Sequence, residues 1–96
     1  MPAYVIAEIE ITNPDGYREY TTMVPATIQQ YGGRFIARGG KSQVLEGDWP
    51  ERRRVIIEFP SVEAARKWWD SPEYAKPKAL RRANSNGRLL LIESAS

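Results

Sequence analysis

The chain has 96 residues, enough for one hydrophobic core but not for two, so we predict a single domain over residues 1–96. Hydrophobic residues make up 42% of it and charged residues 27%, with a net charge of only +2, a balance that excludes a chain disordered throughout. Cysteine and histidine are both absent, which excludes thiolate chemistry, histidine-based proton transfer and the usual zinc sites.

The first two predicted elements are a strand and a helix. Residues 3–11 alternate between a wholly apolar face and a mixed face, as in a half-buried strand. Asn13-Pro14 predicts a helix start, because Asn is a good N-cap and Pro suits the first helical position. We expect Pro25 to kink this helix and Gly32-Gly33 to end it with a left-handed cap.

Two strands follow, joined by a turn. Residues 34–46 predict one long strand with a bulge or bend at Gly39-Gly40. Residues 53–59 predict the next strand, in which Glu58 lies on the same face as Ile56. This part of the chain therefore predicts a hairpin with a long first arm.

The last third of the chain predicts more helix and a final strand. Ser61 caps a second helix, and Ser71-Pro72 has the pattern of a fresh helix start. Pro77 is expected to bend or shorten that last helical segment. We expect residues 84–87 to break the chain before a strand over residues 88–93.

The predicted element order is that of an α+β, ferredoxin-like βαββαβ fold. Right-handed crossovers place the helices on one face of a four-stranded antiparallel sheet and leave the other face uncovered. The residues that alternation assigns to the uncovered face include Ile6, Ile56 and either Leu89 with Leu91 or Leu90 with Ile92. Because this surface is too apolar to face water, we predict a homodimer through the helix-free sheet face.

Five residues are candidates for a small-molecule site. Glu58 lies among apolar neighbours and is either a desolvated acid/base or the partner of an arginine. Arg38 precedes the expected bend and is either an anchor for an anion or part of a surface or dimer-interface ion pair. If a pocket exists, we expect Arg38 and Glu58 both to border it and to interact. Trp68 and Trp69 are adjacent on a helix, so one packs in the core and the other is free to line a cavity or a dimer contact. Tyr74 is placed to reach a cavity with its hydroxyl.

Several functions are excluded by what the sequence lacks. No glycine pair belongs to a nucleotide-binding motif, and Arg54 and Ile56 stand where an RNA-binding sheet would need stacking aromatics. We therefore predict no nucleic-acid partner, no transition metal and no cofactor. The N-terminus lacks the features of a signal peptide and no apolar run is long enough to span a membrane, so we expect no membrane association and a cytoplasmic location.

Five short blocks, in this order, resemble one known family. They are Tyr31-Gly32-Gly33-Arg34-Phe35, Arg38-Gly39-Gly40, Leu45-Glu46-Gly47-Asp48-Trp49-Pro50, Ile57-Glu58-Phe59-Pro60-Ser61 and Ser71-Pro72-Glu73-Tyr74. The resemblance runs from about Ala3 to Glu93 and is to a bacterial DUF-type family of the dimeric α+β barrel superfamily. It implies that the sheets of two protomers pack together, with a small cavity beneath the helices or between the sheets.

The resemblance indicates the fold more closely than the function. Relatives in the superfamily include cofactor-independent monooxygenases, muconolactone isomerase-like enzymes and haem-dependent chlorite dismutases. Tyr31 stands where such proteins often have His, and haem ligation by His is excluded here. We expect the protein to bind or transform a small aromatic or carbonyl-bearing metabolite without a cofactor. The alternative is a non-catalytic dimeric ligand-binding module, and whether the protein is an enzyme stays open.

Overall fold

The computed structural model describes residues 1–95 and follows the predicted order of elements. Two short helices occupy the place of the second helix, as the Ser71-Pro72 helix start predicts. The elements are β1 (Ala3–Ile11), α1 (Pro14–Gln30), β2 (Arg34–Arg38), β3 (Arg53–Phe59), α2 (Val62–Trp69), α3 (Pro72–Asn84) and β4 (Ser85–Glu93).

The four strands form one antiparallel sheet in the order β2-β3-β1-β4. This topology, with the helices packed on one face, confirms the predicted ferredoxin-like α+β fold. The register also decides which leucines of β4 face the helices. Val5 of β1 is buried and lies opposite Leu91, so Leu89 and Leu91 share the helix-covered face. Leu90 and Ile92 therefore lie on the helix-free face.

The core lies between the helices and the covered face of the sheet, and aromatic rings fill much of it. Trp68, Tyr74 and Phe59 are fully buried. The Trp68 ring centroid lies 4.1 Å from that of Tyr74 and 5.4 Å from that of Phe59. Its indole Nε1 donates to Thr27 Oγ1 at 3.0 Å, so the one polar atom of this side chain keeps a partner away from water.

Helix α1 begins and ends where the sequence predicts. Asn13 occupies the N-cap position with extended backbone, although its side chain makes no capping hydrogen bond. At the other end Gly32 is left-handed (φ 80°), and Gly33 N donates to the carbonyl of Ile28 at 2.9 Å. A Cβ on Gly33 would lie 2.6 Å from the Phe59 ring, so this position also needs a glycine for close packing.

The predicted length of β2 is wrong, because the strand ends at Arg38 instead of residue 46. A continuation would have to pair with residues 47–52, where Gly47 is left-handed and Pro50 has no N–H to donate. The bend expected at Gly39-Gly40 is present, since the chain bends at Gly39, which is left-handed (φ 67°). A second irregularity was not predicted: the register of β2 against β3 shifts between Phe35 and Ala37.

The prolines inside α1 and α3 do not end these helices. Pro77 is buried in α3, which continues to Asn84 and therefore is not shortened. The predicted break at residues 84–87 is wrong as well, since β4 begins directly at Ser85. No helix in the described part of the chain combines the length and the hydropathy needed to cross a membrane.

Candidate functional site

A cleft between the helices and the covered face of the sheet encloses a cavity of about 30 Å³. We call it the helix–sheet cleft. Its walls are mostly apolar, and its polar side chains are Tyr17, Tyr20, Thr21, Arg38, Arg53 and Arg81. A buried water needs at least about 10 Å³ measured in this way, so the cavity has room for about two.

Arg38 reaches this cleft because of two local irregularities. The bulge at Ile36 puts Arg38 opposite the buried Val55, whereas strict alternation from Arg34 would have put it on the helix-free face. Pro25 has no N–H, which leaves the carbonyl of Thr21 without its helical partner. Arg38 Nη2 donates to that carbonyl at 3.0 Å. The guanidinium is thereby tied to α1 at the cleft.

Arg53 is the first residue of β3 and shares the covered face with Val55 and Ile57. Its Nε is buried and has no hydrogen-bond acceptor, and it forms no salt bridge with any carboxylate in residues 1–95. Gly39 is left-handed (φ 67°), and any Cβ there would collide with the Arg53 guanidinium. The β2 terminus therefore leaves space for this side chain.

The inner end of the cleft is a chain of buried hydroxyls ending at a third arginine. Tyr20 and Tyr74 hydroxyls are hydrogen-bonded at 3.2 Å, and the Nε of the buried Arg81 donates to the Tyr74 hydroxyl at 3.4 Å. Burial raises the pKa of Tyr20 far above its ordinary value, with a further increase from Tyr74. Burial also raises the pKa of Tyr17, although the charge of Arg53 opposes this effect. The phenols of Tyr17 and Tyr20 are neutral donors at neutral pH.

These groups define what the cleft can do chemically. Arginine and phenol donors stabilise negative charge on a ligand oxygen, and they do so strongly where water is excluded. No Asp or Glu is among the described residues that line the cleft. A proton acceptor for a reaction here would have to come from the ligand or from elsewhere.

The structure separates the predicted site residues. Arg38 and Trp68 line the cleft, and Tyr74 contacts its inner end through Tyr20. Trp69 is only half-buried, and Lys78 Nζ lies 4.2 Å from its ring centroid and 2.7 Å from its carbonyl oxygen. The Trp69 side chain lines a separate groove beside β4.

Glu58 does not contact Arg38, so that expectation is wrong. It lies on the helix-free face, where its Oε1 accepts from Arg34 Nε at 2.8 Å. The bulge in β2 accounts for this, because it turns Arg38 to the covered face while Arg34 stays opposite Glu58. The role of Glu58 as an acid/base stays a prediction.

Two cleft arginines were missed by the sequence analysis. Arg53 is not among the candidates that the sequence predicts, although alternation back from Val55 puts it on the buried face. Arg81 follows Tyr74 by seven residues, a spacing that places both on one side of α3. In both cases the periodicity indicates a buried position, whereas the charge of an arginine favours an exposed one.

The helix-free face carries a different set of charges. Glu8 pairs with two neighbours: its Oε1 lies 2.8 Å from Arg88 Nη2, and its Oε2 lies 3.4 Å from Arg54 Nε. Glu10 Oε2 lies 3.6 Å from Arg52 Nη2. Residues 1–95 contain no group of three acidic side chains close enough together to hold a metal ion.

One family model matches residues 2–95 and is described as "Domain of unknown function (DUF1330)". No curated protein matches the chain. Among solved structures, the RPA0582 protein of unknown function from Rhodopseudomonas palustris is similar with a TM-score of 0.80 at 19% identity, over 99% of this chain and 83% of that one.

Two further structures share the fold at lower identity. SnoaB, a cofactor-independent oxygenase from Streptomyces nogalater, has a TM-score of 0.67 at 12% identity, over 99% of this chain and 94% of that one. A protein called antibiotic biosynthesis monooxygenase has a TM-score of 0.56 at 12% identity, with both chains covered completely. At these identities the likeness concerns the fold.

Proposed function

The chain belongs to the DUF1330 family, and from this premise we propose that it binds a small aromatic or carbonyl-bearing metabolite without a cofactor. The polar end of the ligand would enter the helix–sheet cleft, and its body would lie in an open groove of about 660 Å³ that shares Ile9 and Arg53 with the cleft. The convergence of arginine and tyrosine donors on an apolar cavity is the observation that carries the proposal. A ligand site typically combines apolar walls with a few polar groups that fix orientation. The helix–sheet cleft has this composition, with Trp68 and Phe35 as aromatic walls.

Binding is either followed by reaction or is the whole function. The enzyme alternative is supported by the fold shared with SnoaB, which is described as a cofactor-independent oxygenase. Here the cleft donors would stabilise negative charge that develops on a ligand oxygen. In the alternative, a non-catalytic binding module, the same donors hold the ligand unchanged.

The active form in this proposal is a homodimer through the helix-free sheet face. Leu90 is 60% exposed and Ile92 is 49% exposed, and they lie beside Ile6 and Ile56 on the same face. A contiguous apolar surface of this kind favours association with a second copy. The cytoplasmic location also stays a prediction.

Two neighbouring threonines of α1 provide a matched test of the site. Thr21 lines the cleft, whereas Thr22 is exposed, yet each donates its hydroxyl to the carbonyl three residues earlier, at 2.6 Å and 2.7 Å. Thr21→Phe should obstruct the cleft and Thr22→Phe should not. We expect small aromatic acids and aldehydes to raise the melting temperature of wild type and Thr22→Phe but not of Thr21→Phe. An equal response in both variants would place binding outside the cleft.

Whether the ligand is altered separates the two alternatives. Ligands that pass the first test are incubated with the protein in air and recovered after denaturation for mass spectrometry. A mass change that requires wild-type protein and is lost in Thr21→Phe indicates an enzyme. Recovery of the unchanged ligand after prolonged incubation indicates the binding module.

A further inference from the structure

We infer that the ligand of the helix–sheet cleft carries a carboxylate, which binds at Arg53 with help from Arg38 and the Tyr17 hydroxyl. This inference rests on the proposed function and adds the chemical class of the ligand. Paired and unpaired arginines lie in different parts of the molecule. Among residues 1–95, the six arginines that form salt bridges lie outside the cleft, whereas Arg38, Arg53 and Arg81 all line it and form none.

Among residues 1–95, Arg53 Nε is a buried donor without a hydrogen bond, although the guanidinium also faces the Tyr17 side chain, with its Cζ 5.8 Å from the ring centroid. Arg54 Nε likewise has no hydrogen bond, but Glu8 Oε2 lies 3.4 Å away. A buried donor without an acceptor is destabilising, so proteins rarely retain one unless something else uses it. The Arg53 Nε is such a donor, while Arg38 has the Thr21 carbonyl and Arg81 has the Tyr74 hydroxyl. An anion from outside the chain would satisfy the free donor and the positive charge together.

The space around Arg53 suits an anionic head group on a larger body. Arg53 and Ile9 line both the enclosed cavity of about 30 Å³ and an adjoining open groove of about 660 Å³. The groove also contains Gly39, Gly40 and two acidic residues. Glu10 is paired with Arg52, whereas Glu51 is exposed and forms no salt bridge with the described residues. A ligand body fits in the groove, and its charged end then reaches Arg53 at the entrance to the cavity.

The cavity favours carboxylate over a bulkier anion. The two oxygens of a carboxylate match the planar fork of a guanidinium and can replace the roughly two waters for which the cavity has room. A phosphate has four oxygens and a tetrahedral shape, and the cavity does not hold them. The neutral Tyr17 hydroxyl, whose pKa burial raises, adds a donor beside Arg53.

The test compares carboxylates with primary amides of the same shape: acetate with acetamide, benzoate with benzamide, and phenylacetate with phenylacetamide. Binding is measured by calorimetry at matched sodium concentration, with phenyl phosphate as a further probe. We expect at least one carboxylate to bind wild type about tenfold or more tightly than its amide, because a charge-assisted bidentate contact is lost in the amide. Phenyl phosphate should bind more weakly than benzoate.

Three variants locate the contact. Arg53→Met should weaken carboxylate binding about tenfold or more, and Arg53→Lys should retain part of it because the charge remains but the fork is lost. Arg82→Met is the matched control, since Arg82 also forms no salt bridge with the described residues but lies at Trp69, outside the cleft. Circular dichroism checks that each variant folds.

The outcomes separate the two proposals. Equal affinity for amides and carboxylates in wild type, or tighter binding of phenyl phosphate, overturns the carboxylate inference and leaves the cleft as a site. Carboxylate binding that is unchanged in both Arg53 variants also overturns it. If no member of the panel binds wild type, the proposed function fails and the inference fails with it. The wild-type comparison stands even if Arg53→Met does not fold.

Discussion

The two faces of the sheet differ in how they accommodate arginine. On the helix-free face, arginines pair with acids of neighbouring strands: Arg34 with Glu58, and Arg54 and Arg88 with Glu8. On the helix-covered face, three arginines border a cavity and no described acid lines it with them. Cross-strand ion pairs of the first kind stabilise the pairing of neighbouring strands. Arginines of the second kind retain donors that a ligand can use.

The largest effect is expected from a charge on the apolar part of the helix-free face. Ile56 is half-buried and lies opposite Ile6, so Ile56→Lys would place a lysine in the proposed dimer interface. An unpaired buried charge costs several kcal/mol, and we expect dissociation or unfolding. Light scattering and urea denaturation measure both results. Ala79→Lys, on the exposed side of α3, is the control, and a monomeric wild type would contradict the dimer.

A smaller effect is expected when the paired charges are broken. The Glu8 side chain is 17% exposed and contacts two arginines, so Glu8→Gln leaves both without a counter-charge. We expect a loss of about 1–2 kcal/mol in the free energy of unfolding. Asp15→Asn breaks a salt bridge whose side chains are 74% and 90% exposed and should change stability little. Equal effects would mean that the Glu8 pairs do not brace the sheet.

Alkaline pH should act mainly on the covered face. Because burial raises the pKa of Tyr20, the unfolded chain loses this proton first, and stability falls as pH rises above about 10. The loss from one such tyrosine is about 1 kcal/mol over the first pH unit. Tyr20→Phe should therefore have a flatter dependence of unfolding free energy on pH between 10 and 11 than wild type. Parallel curves would show that Tyr20 ionises normally.

The smallest effect is expected from Glu58→Gln. Its partner Arg34 is 72% exposed, and a pair of this kind contributes about 0.5 kcal/mol. Ligand binding in the cleft should be unchanged, since Glu58 lies on the other face of the sheet. A loss of ligand response or turnover in this variant would restore Glu58 as the acid/base. Unchanged stability together with unchanged ligand response would mean that Glu58 has neither role.

Much of the fold follows from local patterns. Three such patterns predict elements that the structure contains. They are the alternation of β1, the proline and glycines that bound α1, and the serine caps at Ser61 and Ser71. Both serines accept a hydrogen bond from the backbone three residues on. These features depend on the conformational preferences of a few adjacent residues, which is why the sequence alone determined them.

The site depended on pairing between distant segments. One bulged residue, Ile36, decides whether the Arg38 side chain lies on the face of Glu58 or on the face of the cleft. The bulge arises from the register of β2 against β3. The contact of Arg38 with α1 further needs the carbonyl that Pro25 leaves free, in a helix that precedes it in sequence. A shift of one residue exchanges the two faces of a strand, and no local pattern fixes it. The sequence therefore determined which elements form, whereas the tertiary structure decided which charged side chains share a face.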